Sequence, residues 1–307
     1  MLGPKDLQQF LPLLVEARNE NIHKAYISKL LAGWGYAYIE SHPGYTLRVK
    51  ALGDFQVSLG DKALDDVDWQ REKGKELFQY FLIRKNQLIR KEEILEDLWP
   101  DSDEKNSNRD FKVAFNALNK AIEPNRKPRA QTYFILRQES SYGLNKKAVI
   151  NYDVDQFEQW IDEGLKEKSV LTAKKLLEKG LGYYSGDFLQ ERKAYSWILI
   201  ERERLKQLFL QGSEKLAQLL IRLNEIDEAI RICKQIVKKE ATWEEAYRLL
   251  MYCYYQKNNR PQALIWYKEC EKTLYEELDV EPMEATKQMY KMIRNEDVSI
   301  NLKKEAL

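Results

Sequence analysis

The sequence predicts a mainly α-helical chain with small β-sheets: a winged helix-turn-helix followed by a tetratricopeptide-like helical repeat. Three observations predict it. Only 13 Gly and 8 Pro occur among 307 residues, too few for a turn-rich β protein. Apolar residues recur at helical spacing over most of the chain, alternate with polar ones around residues 45–59, and form two further short strand-like stretches at 132–136 and 142–144. The stretch Asn224–Ile230 returns as Asn258–Leu264, an offset of 34 residues, which is the tetratricopeptide length.

The elements follow in order. Asp6–Ala17 forms a helix through Leu7, Phe10, Leu11 and Leu14, and Ile22–Trp34 forms a second that closes near Gly33 and Gly35. His42-Pro43-Gly44 breaks the chain. Tyr45, Leu47 and Val49 alternate with polar residues, as do Phe55, Val57 and Leu59, so two strands are expected with turns at Gly53-Asp54 and Gly60-Asp61. Helical period resumes at Trp69, with Leu77, Tyr80, Phe81 and Leu82 on one face. Lys91–Leu98 is a short helix stopped at Trp99-Pro100, because proline disfavours helical backbone in the residue before it. The polar loop 101–107 leads to a third helix, Asn108–Ile122, ended before Pro124. After the basic linker Asn125–Arg129, Thr132–Leu136 and Tyr142–Leu144 make a hairpin around Glu139-Ser140-Ser141. Strands, three helices and a hairpin make the winged layout. From Val154 onward all is helical, with Ala229 and Ala263 where paired helices come close and Tyr247, Leu250 and Tyr254 filling between them. The expected divisions are an N-terminal helical segment 1–46, a winged domain 47–153, a repeat domain 154–295 and a tail 296–307.

Composition narrows the function. Hydrophobic residues at 44% and aromatics at 11% exclude a disordered chain. With 50 Lys+Arg against 49 Asp+Glu, net +1, a whole-chain basic field is excluded. No apolar run approaches the roughly 18 residues of a membrane span. The start, residues 1–10, lacks the basic-then-apolar order of a signal peptide. Three cysteines form no disulfide framework and suit a reduced cytoplasm. Cys233, Cys253 and Cys270 have no C-x-x-C spacing, and His23 and His42 stand far from them, so no metal site and no cofactor are expected. Buried helical cysteines are the expected alternative. No P-loop occurs, since the Gly74-Lys75 pair has Trp69 where the first glycine belongs, and no G-x-S-x-G or H-E-x-x-H is present. The acidic pairs Asp65-Asp66 and Glu92-Glu93 fit solvated faces or helix starts. No enzyme is expected.

The third helix carries the function. On a wheel at about 100° per residue, Phe111, Ala114, Phe115, Leu118 and Ile122 share one face. The other arc holds Arg109, Lys112, Asn116, Asn119 and Lys120, joined by Lys105 if the helix begins early. Cations reach phosphates and guanine edges, and Asn pairs with adenine. Residues 105–147 hold ten cations and three acids, inside a chain of net +1. Arg137, Ser140 and Ser141 at the hairpin turn, with Gln138, suit phosphate or minor-groove contact, or make an ordinary polar tip. A solvated face is the alternative for the whole surface.

Leu52–Val57, Trp69–Lys75, Leu88–Pro100, Phe111–Lys120 and Ser141–Asn145 resemble the OmpR-type DNA-binding domain of the antibiotic-regulatory-protein (SARP) activators. Tyr184–Leu189, Glu201–Leu205, Leu249–Tyr252 and Glu276–Pro282 resemble the bacterial transcriptional activator domain that follows it there, so the likeness spans about residues 47–295. The resemblance implies a cytoplasmic transcriptional activator with its third helix in the major groove of double-stranded promoter DNA. It places Lys112, Asn116, Asn119 and Lys120 toward DNA. Members often carry basic residues at the positions of Ala117 and Asn119. The loop 101–107 matches a segment that touches RNA polymerase in similar folds, and homodimers on direct repeats are implied. Ala25–Gly35 is similar to the end of the sensor region in MalT-like regulators, which makes the chain either the C-terminal effector part of a longer regulator or a short one. The competing expectation is a protein-interaction or ligand-sensing repeat module whose winged domain does not bind DNA.

Overall fold

The computed structural model describes residues 4–37, 39, 42–192 and 195–295. The expected tail 296–307 lies outside them. The chain divides into two compact units, one of residues 1–50 and 55–152, the other of residues 51–54 and 153–307.

The first unit begins with α1 (Pro4–Asn19) and α2 (Lys24–Gly33), a helical pair each within a few residues of expectation. β1 (Leu47–Lys50), β2 (Gln56–Leu59) and β3 (Lys62–Ala63) form an antiparallel sheet in which Val49 opposes Val57. The alternation of Leu47 and Val49 with Arg48 and Lys50 buries one face and exposes the other. β7 (Ile150–Tyr152) adds to β1 in parallel, with Leu47 opposite Ile150. That pairing joins residues about a hundred positions apart, beyond the reach of a local pattern.

The helix expected from Trp69 onward is two helices. α3 (Asp66–Trp69) opens with a capping box between Asp65 and Asp68, and Gln70 then takes a left-handed φ of 56° before α4 (Glu72–Ile83). The Asp65-Asp66 pair is therefore a helix start. After β4 (Ile89–Arg90) comes α5 (Lys91–Leu98), with the expected bounds and Glu92 and Glu93 in its first turn. α6 (Glu104–Ile122) begins four residues earlier than expected, because Asp103 caps it by accepting the Asn106 N–H at 2.9 Å. Residues 104–107 of the expected loop 101–107 are thus helix. β5 (Ile135–Gln138) and β6 (Ser141–Leu144) form the wing and complete a three-stranded sheet with β4, in the order β4-β6-β5. Ser141, expected in the turn, is the first residue of β6, which leaves a two-residue turn, Glu139-Ser140. Phe111 and Phe115 meet Tyr142 edge-on at 4.9 and 5.1 Å, which locks the wing to α6.

The described elements of the second unit are helices, α7 (Asp153–Lys166), α8 (Val170–Leu181), α9 (Ser196–Arg222), α10 (Ile226–Lys239), α11 (Glu244–Gln256), α12 (Arg260–Leu278) and α13 (Glu284–Asn295), each packed on the next, with one isolated antiparallel bridge between Leu52 and Phe188. Buried Asp153 opens α7 and accepts the N–H groups of Ala51 and Leu52 at 2.8–3.0 Å. The 34-residue repeat is a repeat of backbone as well as sequence. Asn224 and Asn258 take left-handed φ values of 63° and 57°. Each turn has the same hydrogen bonds, Asn224 N–H to Ile221 O and Glu225 N–H to Leu220 O in one, Asn258 N–H to Tyr255 O and Asn259 N–H to Tyr254 O in the other. Ala229 and Ala263 are fully buried. Cys233, Cys253 and Cys270 are free and buried, and burial pushes the thiols of Cys253 and Cys270 up to about 12.

Candidate nucleic-acid interface

α6 is held from behind by a close helix crossing. A Cβ on Gly74 of α4 would meet Ala114 O, Leu118 N and Ala117 Cβ at 3.1–3.2 Å. The glycine that looked like half of a phosphate loop is there to let two helices touch. Ala114, Ala117 and Leu118 are buried in that crossing, and Phe111 and Ile122 are buried with them.

The opposite side of α6 is exposed. Lys105, Arg109, Lys112, Asn116 and Lys120 are all exposed. At helical pitch they fall within an arc of about 80°. Lys105, Lys112 and Lys120 make no ion pair among the described residues. Arg109 is different, since its Nε donates to Asp110 Oδ1 at 3.0 Å. Val113, 45% exposed, borders the stripe as its apolar member.

Asn119 corrects the expected site. It is 1% exposed, and its Nδ2 donates to Phe115 O at 2.7 Å. It sits about 20° past Lys112 toward the wing side of the helix. There its amide turns back on the helix backbone and cannot reach a base.

Of the wing residues, Arg137 and Ser140 are exposed and Ser141 is half-buried. The Arg137 guanidinium lies 5.7 Å from the Tyr142 ring centre, and its Nε donates to Glu139 O at 3.3 Å. Glu139 holds a φ of 53°, a position that favours glycine.

The sequence reading missed Lys91. Its backbone N–H donates to Ser140 O at 2.9 Å, its ammonium donates to Asn108 Oδ1, and it lies 5.6 Å from the Phe111 ring centre. It joins the start of α5, the exposed side of α6 and the wing tip. Exposed Arg90 stands at the N-cap position of the same helix without a side-chain cap hydrogen bond.

At the other end of α6, Glu123 is 5% exposed and accepts the N–H groups of Tyr133 and Phe134 at 2.8 and 2.9 Å, which fixes the lead into β5. Burial raises its carboxyl above the usual range. His42 lies against Tyr133 at 4.4 Å and accepts the Gly44 N–H on Nδ1, and burial lowers it to about 4.

In the second unit a half-open groove of about 750 Å³ lies among α8, α9 and α10. Arg231 pairs with Glu228 and Lys239 with Asp187, so much of its charge is already met. Among the described residues no group of His, Cys, Asp and Glu could hold a metal ion, and no helix is long and apolar enough to cross a membrane.

Residues 152–294 match the family described as the bacterial transcriptional activator domain. EmbR of Mycobacterium tuberculosis, solved in complex with a low-affinity phosphopeptide, superposes with a TM-score of 0.70 at 15% identity, over 85% of this chain and 68% of that one. At that identity the likeness is one of fold. The TPR2AB domain of yeast Sti1, in a complex with pHSP90, gives a TM-score of 0.26 at 14% identity over 75% of this chain and 98% of its own, and carries no argument. No curated protein sequence matches the chain. The family match supports the resemblance to SARP-type activators over residues 152–294, and the EmbR likeness supports the expected fold.

Proposed function

We propose that this chain, which carries a bacterial transcriptional activator domain, is a cytoplasmic DNA-binding activator that reads the major groove with α6 and brings RNA polymerase to the promoter. The observation that carries the reading is the stripe of exposed cations and an amide on α6, in which Lys105, Lys112 and Lys120 have no ion pair among the described residues, bordered by the wing and by Arg90 and Lys91.

The physical roles differ along the stripe. Lys105, Lys112, Lys120 and Arg90 supply phosphate attraction, which sets affinity and salt dependence. Asn116 offers the donor and acceptor that match the adenine edge, and Val113 offers an apolar surface for a thymine methyl. Arg137 and Ser140 reach the backbone or minor groove beside the helix. Arg109 contributes less charge than its position implies, because Asp110 already holds it. Polymerase contact belongs to the segment 99–103 before α6, or to the second unit. Two copies side by side on direct repeats would multiply a modest single-site affinity.

Selection of binding sites from a random duplex pool with the purified chain tests the proposal. A recurring site is expected. Lys112→Ala with Asn116→Ala should then weaken that site by about 2–5 kcal/mol without changing the melting temperature of the protein. An unchanged gel-shift titration would overturn the proposal and favour a winged domain that binds protein.

A further inference from the structure

The wing sheet has a second face that the proposed DNA contact does not use. Tyr142 points to α6, so its neighbour Gly143 points the other way, as does Leu136, which opposes Gly143 across the strand pair. The segment linking α4 to β4 crosses this outer face closely, since a Cβ on Gly143 would lie 2.3 Å from Gln87 O. Beside that crossing is a groove of about 630 Å³.

Its lining combines leucines with side-chain amides and cations. Leu88, Leu136 and Leu144 line it, and Leu88 stays 42% exposed although it sits between a core helix and a core strand. Eleven residues line the groove, among them Arg137, Lys146 and Lys147, and none is a carboxylate. Lys147 is held to Gly35 O, whereas Lys146 is exposed. The groove runs beside β5, the edge strand of its sheet. Edge strands accept a further extended segment, with backbone pairing supplying affinity and adjacent pockets supplying specificity.

We propose that this outer face docks an extended, acidic segment of a partner protein whose leucine or phenylalanine side chains fill the groove over Leu88 and Leu136. The basic, carboxylate-free lining selects acidic partners. Its leucines select a peptide over the phosphate backbone of a duplex, which has no apolar groups to place there. Leu136 faces away from α6, so a segment seated over it leaves the α6 stripe free, and Arg137 is the residue that the two contacts share.

The test uses the full chain and a fluorescein-labelled twelve-residue peptide alternating Asp with Leu or Phe, followed by anisotropy. Saturable binding is expected. The same peptide with Lys in place of Asp should show none. Lys146→Glu, at an exposed position that cannot unfold the sheet, should weaken the acidic peptide about tenfold. Leu88→Gln should do the same, and duplex affinity should stay within twofold in both variants. Equal binding of the acidic and basic peptides, or no effect of either substitution, overturns the proposal. So does a duplex that displaces the peptide while Leu88→Gln weakens the duplex, because the groove would then belong to DNA. None of these outcomes depends on whether α6 reads a promoter, so this proposal and the one above fail separately.

Discussion

α6 and α10 are both amphipathic helices with a charged outer face, yet they treat that charge in opposite ways. On α10 and its surroundings, Arg231 is paired with Glu228, Asp227 with Lys257, Lys239 with Asp187 and Glu240 with Lys206. On α6 the single pair is Arg109–Asp110, and Lys105, Lys112 and Lys120 stand without partners among the described residues. Sequence charge follows the same division, with ten cations to three acids in residues 105–147 and 24 of each in residues 154–295. A face that neutralises itself is finished, whereas a face of one sign is complete only with an anionic partner. The difference sets the two helices apart where amphipathicity alone cannot, and it is the ground for proposing α6 as the binding one.

The largest expected effect breaks the comparison at its base. Gly74→Leu forces side-chain atoms into the backbone of α6 and should cost the winged unit about 3 kcal/mol, lowering its melting temperature and abolishing duplex binding. Next comes the charge itself. Lys112→Ala with Lys120→Ala should weaken duplex binding roughly tenfold or more and flatten the plot of log affinity against log salt by about two units. The matching change on α10, Arg231→Ala with Glu228→Ala, should leave duplex binding alone and shift stability by less than about 1 kcal/mol. Equal losses from the two pairs would erase the distinction between the helices.

Smaller effects sharpen it. His42 is neutral in the fold with a value near 4 against 6.5 for the free side chain. Between those values the unfolded chain binds the extra proton, so stability of the winged unit rises with pH and falls as pH drops from 6.5 toward 4. The loss at pH 5 should be on the order of 1 kcal/mol, and His42→Phe should remove this component from thermal melts recorded at pH 7 and pH 5. Smallest is Glu139→Gly. It relieves a left-handed φ of 53° and should raise stability by up to about 1 kcal/mol, while removing the one acid at the wing tip should tighten duplex binding slightly.

What was legible in the sequence was local. α5 was bounded because Pro100 stops it, and the repeat because Asn224 and Asn258 mark the same left-handed turn. The face of α6 was legible because its apolar residues repeat at helical period. The start of α6 was misjudged because the Asp103 cap lies within a polar run that looked like loop. Asn119 was misassigned because a wheel gives direction but not cover. Lys91 was missed because its importance comes from Asn108 and Ser140, which lie 17 and 49 residues away in the chain.

The sequence by itself determined the order of elements, the 34-residue repeat and the single-sign face of α6, because each is written in the periodicity or charge of neighbouring residues. Only the tertiary structure decided the parallel pairing of β1 with β7, the crossing at Gly74, the buried caps made by Asp153 and Glu123, and the outer groove of the wing. Each of these brings together groups distant in the chain. Their energies depend on desolvation and close approach, which no local pattern carries.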